Sequence, residues 1–442
     1  MQVLQPIGLS PPVRVEALSA LTELVPLWLS ENSLDLKRVV RPQGGGQFSI
    51  NIEAYHGVQT WISFRKKLEG RESLQRIEST IREHQPELLG YIRSPSHSWL
   101  IQDALGLVIC WCQAAAQYVK NGASVDASIS RVLRELDAML SSRRAIHELI
   151  TPLTGLNLPE DLDSLSLGDR VVLRKLTPEE LSDLGSNDVS STNHHDILSL
   201  SVSTALVVTH DVELSLTTQY PETPPDVMFQ QKLQEQLDSV LCSLHLLKEG
   251  RVGVVASFTT LKPSVLPNMG GYSTSPLVRH PFASMQLSRE DIEPLIAVYG
   301  KLATNHRDEV RIGAARLLDA EHRLSPVDAL LDAVIGLEVL LNPMDYAELS
   351  FRVALNYSYL TGESERRQRY EHVRDIQKTR NKVVHGGLNL RSKDAPIIHV
   401  HAVLAKACLR DALRRFLSEP TFEGNSKLDV DFWLDRLIPP NG

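Results

Sequence analysis

The chain has 442 residues, of which 42% are hydrophobic and 23% are charged, and its formal net charge is −8. This composition is ordinary for a globular protein of roughly two to four domains, which can bury large cores without disulfide or metal cross-links. A protein that only coats nucleic acid would be basic, because neutralising phosphates supplies most of the non-specific affinity. The acidic balance excludes that class, and any contact with nucleic acid must be local or helped by a partner.

The cysteines and the apolar runs give no sign of metal sites, disulfides or membrane spans. The four cysteines are Cys110, Cys112, Cys242 and Cys408. No pair has zinc or disulfide-framework spacing, so we expect small buried thiols, no metal site and no cofactor. The longest charge-free apolar run, between Asp103 and Lys120, is shorter than the about 20 residues that span a bilayer. Since the N-terminus shows no signal-peptide pattern, the sequence predicts a cytoplasmic protein without a membrane partner.

Residues 1–150 are predicted to form a mostly helical N-terminal region. The glycines Gly44–Gly46 mark a loop or hairpin, followed by a candidate strand at Gln47–Glu53. This run lacks the lysine and the hydroxyl residue of a phosphate-binding P-loop. The spacing of apolar residues predicts helices over Val15–Leu29, Leu74–Leu89, His97–Val119 and Val125–Ile150.

Residues 151–288 are predicted to form a mixed α/β module. A helix start is indicated at Thr177–Glu180, where threonine can cap the helix and proline stands at its first position. His194–Asp196 lies in a polar stretch, and three adjacent residues cannot easily ligate one metal, so we expect a solvated loop. The predicted strands are Arg170–Leu176, Ser203–His210 and Val254–Leu261, and a helix is predicted over Val227–Lys248.

Residues 289–418 are predicted to be helical throughout, with short loops as in a compact bundle. The expected helices are Glu293–Leu302, Asp308–Arg323, Pro326–Leu341, Tyr346–Leu360, Glu365–His385 and Ala395–Leu417. Residues 419–442 are expected to be a tail that docks on the body through its aromatic and leucine residues, which are Phe432, Trp433, Leu434 and Leu437. The predicted fold class is therefore α+β, with an all-α C-terminal bundle after a mixed α/β N-terminal region.

The helix Glu365–His385 carries the residues with the clearest chemical potential. At about 100° per residue, Arg380 falls in the middle of the apolar stripe formed by Val373, Ile376, Val383 and Val384. Asn381 and His385 are four residues apart and share an adjacent face, and Gly386 then ends the helix. From spacing alone, a structural interpretation is favoured more than a catalytic one: the arginine would be paired in the core and the histidine would cap the helix.

The same segment is locally basic. It contains seven Lys or Arg residues and three Asp or Glu residues, in a chain whose overall charge is −8. Most charge-rich helix faces are only solvated. This one leads into the Arg380 and His385 pair, and Arg374, Lys378 and Lys382 are therefore candidate contacts for the phosphates of a nucleic acid such as RNA.

The sequence Arg380-Asn381-Lys382-Val383-Val384-His385 resembles the signature of the HEPN superfamily, in which an arginine, usually followed by a polar residue, precedes a histidine by four to six intervening residues. Ser325–Glu338, Glu348–Arg352 and Lys382–Gly386 resemble, in order, three helical segments of its ApeA-like branch. The resemblance covers roughly residues 290–418. The chain departs at Gly336, where such helices often carry alanine.

The resemblance implies a HEPN-type helical domain that cleaves RNA without a metal, with Arg380, His385 and Asn381 as site residues. RNA carries its own nucleophile in the 2′-hydroxyl. A histidine can act as general base or acid, and an arginine can neutralise the phosphate as charge builds. The resemblance further implies a homodimer or higher homo-oligomer in which two motifs share one cleft, and a role in defence against phage. The N-terminal region could then sense a phage-derived or nucleotide trigger.

Two other functions stay open. A non-catalytic HEPN module could bind nucleotides or RNA, or only dimerise. An unrelated helical interaction protein is the more distant alternative. The presence of both Arg380 and His385 favours the nuclease, and loss of RNA degradation on Arg380→Ala substitution would discriminate between these classes.

Overall fold

A computed structural model of the chain describes residues 8–32, 40–43, 47–50, 66–93, 98–100, 104–177, 202–218, 227–254, 256–266, 273–274, 284–305, 307–341, 349–360, 365–386 and 394–419. The chain divides into two compact units. The first contains residues 1–154, 170–234 and 254–278, and the second contains residues 155–169, 235–253 and 279–442. The predicted division into four consecutive segments stays a prediction, because a compact unit is not by itself an independently folding domain.

The first unit contains a helical core. Its helices are α1 (Pro11–Asn32), α2 (Glu72–His84), α3 (Ala104–Lys120) and α4 (Val125–Ser142). The helices interdigitate through a common set of buried apolar side chains, with Trp111 among the largest that are fully buried. The indole Nε1 of Trp111 donates a hydrogen bond to the Val265 carbonyl at 2.9 Å, so the ring fills the core without losing its polar contact.

Antiparallel strands complete the first unit. Its strands are β1 (Val40–Gln43), β2 (Gln47–Ile50), β3 (Tyr91–Arg93), β4 (Ser98–Leu100), β5 (Arg144–Thr154), β8 (Val171–Lys175), β9 (Val202–Glu213), β10 (Ser215–Thr217), β12 (Ala256–Lys262) and β13 (Ser273–Thr274). The main sheet contains the order β13-β12-β5-β9-β8, with all of these pairs antiparallel. β1 pairs with β2, and β3 lies between β4 and β10.

Three predictions for the N-terminal half need correction. The helix expected over Val125–Ile150 ends at Ser142, and β5 begins at Arg144 after Arg143 adopts a left-handed conformation with φ 53°. The helix expected from His97 begins at Ala104, and Ser98–Leu100 forms a strand instead. The helix expected over Leu74–Leu89 ends at His84 and is followed by a short 3-10 turn.

Other predictions for this half agree with the structure or lie outside the described residues. The predicted strands at Arg170–Leu176, Ser203–His210 and Val254–Leu261 correspond to β8, β9 and β12. The predicted hairpin corresponds to the β1 and β2 pair, whose connecting glycines lie outside the described residues. The helix start that continues past Thr177, the segment His194–Asp196 and the C-terminal tail also lie outside them.

The second unit contains the C-terminal helices. They are α6 (Ile292–Ala303), α7 (Asp308–His322), α8 (Pro326–Leu341), α9 (Leu349–Leu360), α10 (Arg366–Val384) and α11 (Ala395–Ser418). Over the described part of residues 290–418 the regular structure is helical, as predicted. Outside this span the structure has β6 (Leu156–Asn157), β7 (Ser164–Gly168), β11 (Gly253–Val254), β14 (Met285–Gln286) and the helix α5 (Val227–Leu247), whose residues from Glu235 onward belong to this unit.

Helical spacing of apolar residues explains the packing of this unit. α8 buries Leu330, Val334, Leu337 and Leu341, which recur every three or four residues along one face. α11 buries a similar series along its whole length, ending at Phe416 and Leu417. These two helices, together with α7, α9 and α10, share a single apolar core. The core fixes the position of α10 and therefore the position of the candidate site residues.

A buried ionic cluster holds the C-terminal end of α5 to the bundle. Arg410 pairs with Glu321 at 2.6 Å and donates its Nε hydrogen to the His245 carbonyl at 2.7 Å. Arg414 donates to the Leu246 carbonyl at 2.6 Å. Carbonyls at a helix end have no partner within the helix. The two arginines therefore supply hydrogen bonds that α5 cannot make internally.

Membrane and cysteine predictions can be compared with the described residues. None of the helices in the described part of the chain is long and apolar enough to cross a membrane. Cys112 and Cys242 are buried and all four cysteines are free, while Cys110 and Cys408 are only partly buried. Burial raises the pKa of the Cys112 thiol to about 12, so this thiol stays protonated at neutral pH.

Candidate functional site

Arg380 lies on the core-facing side of α10, as its place in the apolar stripe predicts. Val373, Ile376 and Gln377 on the same side are buried, while the Arg380 side chain keeps 25% of its surface exposed. A guanidinium in this position needs polar partners, because an unpaired charge among apolar side chains is costly. The structure supplies these partners from α8 and from α10 itself.

Two side chains hold Arg380. Its Nη2 lies 3.4 Å from Oε2 of Glu338, and its Nη1 donates to Oδ1 of Asn381 at 3.1 Å. The Asn381 amide in turn donates to the Ser350 hydroxyl at 3.5 Å. The Nε atom of Arg380 is buried and has no hydrogen-bond partner among the described residues. The guanidinium is thus oriented by one long ion pair and one amide, with donor capacity left over.

These residues line a cleft of about 650 Å³. Its described lining residues are Glu338, Leu349, Ser350, Phe351, Arg380 and Asn381. They come from α8, from the start of α9 and from the end of α10. Residues from two of the three segments, Ser325–Glu338 and Glu348–Arg352, therefore meet the first two residues of the Arg380–His385 motif at one place in the fold.

Glu338 is the acidic side of the cleft. Its side chain is only 13% exposed, and its Oε1 atom is buried without a hydrogen-bond partner among the described residues. Burial raises the pKa of Glu338 above its usual range, although the positive charge of Arg380 and the Gln377 amide oppose that shift. Part of the carboxyl population is therefore protonated at a higher pH than for a free glutamate. Protonation weakens its hold on Arg380.

An exposed aromatic ring stands at the edge of the cleft. Phe351 is 47% exposed, although it is a large apolar residue. Its ring meets the Tyr370 ring edge-on, with 6.0 Å between centroids. The Arg374 guanidinium lies over the same tyrosine at 5.6 Å. The platform formed by Phe351 is therefore supported from α10 while much of its surface faces outward.

His385 occupies the end of α10, as predicted from the glycines that follow it. It is the residue at which the helix stops, its backbone N–H donates to the Asn381 carbonyl at 3.0 Å, and Gly386 has φ 70°. The His385 side chain is exposed and is not among the described residues that line the cleft. It lies five positions after Arg380, with four residues between them, which corresponds to about 140° around the helix. The two predicted catalytic residues therefore lie on different faces of one copy of α10.

The predicted RNA contacts lie on the same side of α10 as His385. Arg374, Lys378 and Lys382 recur every four residues, and the last two are exposed. Lys378 and Arg374 both approach Asp375, at 2.9 Å and 3.9 Å. Within the described part of the chain, Lys382 makes no ion pair. This face offers cations that a phosphate backbone could approach.

Neither a metal site among the described residues nor a known relative helps to interpret the cleft. Among the described residues, no group of three or more His, Cys, Asp or Glu side chains could hold a metal ion. Comparisons with family models, with curated proteins and with solved structures found no match for this chain. The site must therefore be interpreted from its own geometry and chemistry.

Sequence reasoning did not name four of the described cleft residues as candidates, namely Glu338, Leu349, Ser350 and Phe351. Glu338 lies 42 residues before Arg380, and Phe351 belongs to a different helix from either. A signal for Glu338 did exist, because it is the only charged residue between Ala333 and Leu341 in an otherwise apolar helix. An isolated carboxylate in such a stretch needs a cationic partner. For Phe351 the sequence gives no comparable signal.

Proposed function

We propose that this protein is a metal-independent endoribonuclease of the HEPN type. The observation that carries the proposal is one cleft in which Arg380 and Asn381 of the motif meet residues of two other segments that resemble HEPN helices, Ser325–Glu338 and Glu348–Arg352. An arginine fixed beside an acidic partner, with free donor capacity, is suited to bind a phosphate whose negative charge increases during cleavage.

The chemistry uses the 2′-hydroxyl of the RNA as the nucleophile. A histidine removes its proton or protonates the leaving 5′-oxygen, and the arginine neutralises the phosphate. The phosphorus–oxygen bond to the leaving nucleoside breaks as the bond to the 2′-oxygen forms, which leaves a 2′,3′-cyclic phosphate. His385 is the candidate acid or base because its imidazole is exposed at the end of the basic face of α10.

A second copy of the chain would complete the site. Since Arg380 and His385 lie on different faces of α10, one copy does not present both from the same side. A twofold axis close to the ends of two α10 helices would bring an arginine of one copy and a histidine of the other to a single phosphate. The proposed assembly is therefore a homodimer.

We further propose that the nuclease is conditional and acts as an anti-phage effector, with the first unit responding to a phage-derived or nucleotide trigger. The supporting argument is physical: an unregulated ribonuclease would damage its own cell. The pairing of Arg380 with Glu338 is also consistent with a resting state in which the cation is already occupied.

One alternative is favoured by a specific observation. His385 lies outside the set of described residues that line the cleft, and Arg380 already has an acidic partner. A non-catalytic module would have the same features, with the cleft binding a nucleotide or RNA and α10 serving only for binding or dimerisation.

The decisive experiment compares purified variants on single-stranded RNA. Arg380→Ala and His385→Ala should each reduce cleavage by about 10²-fold or more, which is roughly 3 kcal/mol of barrier. Asn381→Ala should reduce it less, because an amide orients the arginine but carries no proton. Cleavage should persist in EDTA, give 2′,3′-cyclic phosphate ends, and spare DNA, which lacks the 2′-hydroxyl.

The matched control is Arg367→Ala, which removes an exposed arginine of α10 whose partner is Glu371 in the same helix. This variant should keep most of the activity, and thermal melting should show that all variants are folded. Cleavage that depends on added magnesium, or a double Arg380/His385 alanine variant as active as the unmodified protein, would transfer support to the binding-module alternative.

A further inference from the structure

We infer that the cleft beside Arg380 is a subsite for one unstacked nucleobase of single-stranded RNA, with the Phe351 ring as its stacking platform. The inference rests on the proposed function for the identity of the polymer, and it adds which form of RNA the site accepts. Three features of the cleft carry it: its size, the exposed ring at its edge and the arrangement of its polar groups.

The size of the cleft suits a single nucleotide unit. Its volume is about 650 Å³, which falls within the range of about 300–1,000 Å³ that is typical of small-molecule sites. A base with its ribose and phosphate can therefore enter. The stacked bases of an A-form duplex cannot, because each is enclosed between its neighbours and its paired strand.

The Phe351 ring is placed to receive a base. Among the exposed large hydrophobic side chains of the described residues, Phe351 is the only aromatic one, and it borders the cleft. Its contact with Tyr370 is T-shaped, with an interplanar angle of 74°, so the two rings do not stack on each other. Stacking of a base on such a ring contributes about 1–3 kcal/mol and tolerates any sequence, because every base has a π-face.

The polar groups of the cleft match the rest of a nucleotide. Nη1 and Nη2 of Arg380 each donate one hydrogen bond to a protein partner, and the side chain is 25% exposed, so their remaining hydrogens can bind the phosphate attached to the seated base. Ser350 and Asn381 share a hydrogen bond of 3.5 Å, which is long enough to be exchanged for a ribose hydroxyl or a base edge at little cost. A base on Phe351 and a phosphate on Arg380 would thus belong to the same strand.

The test is equilibrium binding of a short single-stranded RNA that contains one 2-aminopurine, whose fluorescence is quenched by stacking. The full chain with His385→Ala is used, so that cleavage cannot consume the probe. Adding Phe351→Leu should weaken binding by about 5-fold to 150-fold and abolish part of the quenching, because leucine keeps an apolar side chain but has no π-face. Adding Phe351→Trp should retain both.

Two controls make the result specific. Ile312→Ala, at a residue of α7 that is 45% exposed and not among the described lining of the cleft, should leave binding unchanged. A blunt RNA duplex of the same sequence should bind equally to the protein that keeps Phe351 and to the Phe351→Leu variant. Thermal melting of each variant confirms that the protein is folded before binding is compared.

Three outcomes would overturn the inference: equal binding of single strands with and without Phe351→Leu, equal weakening of duplex binding by that substitution, or a Phe351→Trp variant as weak as the Phe351→Leu variant. The two proposals can fail separately. If the binding pattern holds and the unmodified protein does not cleave RNA, the nuclease proposal is wrong and the subsite stands. If RNA is cleaved and Phe351→Leu changes no binding, the subsite is wrong and the nuclease stands.

Discussion

At the scale of single residues, the pair formed by Glu338 and Arg380 sets the charge of the cleft. The carboxyl is mostly buried, the N–O distance of 3.4 Å is long for an ion pair, and one carboxyl oxygen has no partner among the described residues. An ionised carboxylate with incomplete compensation lowers stability. This ion pair is therefore poorly optimised for stability, and a phosphate could replace the Glu338 carboxylate as the partner of Arg380.

The first prediction concerns this pair. Because burial raises the folded-state pKa of Glu338, its contribution to stability is largest below the unfolded pKa and is lost as the pH rises through the folded pKa. The Glu338→Gln side chain mimics the protonated carboxyl, so its contribution to stability should not decrease as the pH rises. Its free energy of unfolding relative to the unmodified protein should therefore rise with pH, by up to about 1 kcal/mol. Chemical unfolding at pH 4 and at pH 8 measures this difference.

Glu371→Gln is the matched control, because Glu371 lies on the same helix and forms an i,i+4 ion pair with Arg367 on the surface. For Glu371→Gln, the free energy of unfolding relative to the unmodified protein should not rise with pH. A Glu338→Gln protein that is destabilised more at pH 8 than at pH 4 would show that the ion pair outweighs the burial of its carboxyl.

Sequence reasoning succeeded for residues whose neighbours are close in the chain. The place of Arg380 on the apolar side of α10 followed from helical spacing, and the position of His385 at the helix end followed from Gly386. It failed for Glu338 and Phe351, which approach the site only through packing of α8 and α9 against α10. A site assembled from three helices cannot be deduced from the periodicity of one.

At the scale of elements, helices were predicted better than strands, because a helix depends on neighbours in the sequence and a strand depends on distant partners. The boundaries of the predicted C-terminal helices agree with the structure to within one residue wherever the described residues reach them, because the buried face of a helix repeats within its own sequence. The predicted start of α9 at Tyr346 lies outside the described residues. The first seven residues of β5, Arg144–Ile150, were predicted as the end of a helix. These residues pair with β9, where Arg144 opposes Glu213, and that partner is distant in the sequence. In β5, pairing with a distant strand outweighed the local helix propensity.

Close packing of α8 against α11 gives the second prediction. A Cβ atom added at Gly336 would lie 2.6 Å from Cδ2 of Leu409 and 3.1 Å from Cβ of Arg316. Leu409 is fully buried, so its side chain has little room to move. Overpacking costs about 1–3 kcal/mol, which exceeds the about 1 kcal/mol that alanine gains over glycine in a helix. Gly336→Ala should therefore lower the midpoint of thermal unfolding.

Gly300→Ala in α6 makes the same chemical change where no atom lies within 4 Å of the added Cβ. That variant should melt at the same or a higher temperature, since only helix propensity changes. A Gly336→Ala protein that melts as high as Gly300→Ala would mean that α8 and α11 separate easily, and the packing argument would be wrong.

At the scale of the whole molecule, each compact unit is built from segments that are not consecutive in the chain. The second unit combines residues 155–169, 235–253 and 279–442, and within it β6 pairs in parallel with β14, with Leu156 opposite Met285. Such pairings close long loops and leave no local pattern in the sequence. The mixture of helix and sheet ending in helices was predictable. The interleaving of the two units was not.

The last prediction tests whether two copies build one site. Arg380→Ala and His385→Ala proteins should each be inactive, because each lacks one half of the machinery. If the motifs of two chains meet on a twofold axis, a mixed dimer still holds one arginine and one histidine, and about half of the dimers are mixed after random exchange. Mixing the two inactive proteins should therefore restore RNA cleavage, and light scattering should report a dimer at micromolar concentration. Subunit exchange is verified with copies of different mass. Verified exchange without any return of cleavage, or a monomer that cleaves RNA at full rate, would show that each chain works alone and that α10 reaches the phosphate in another way.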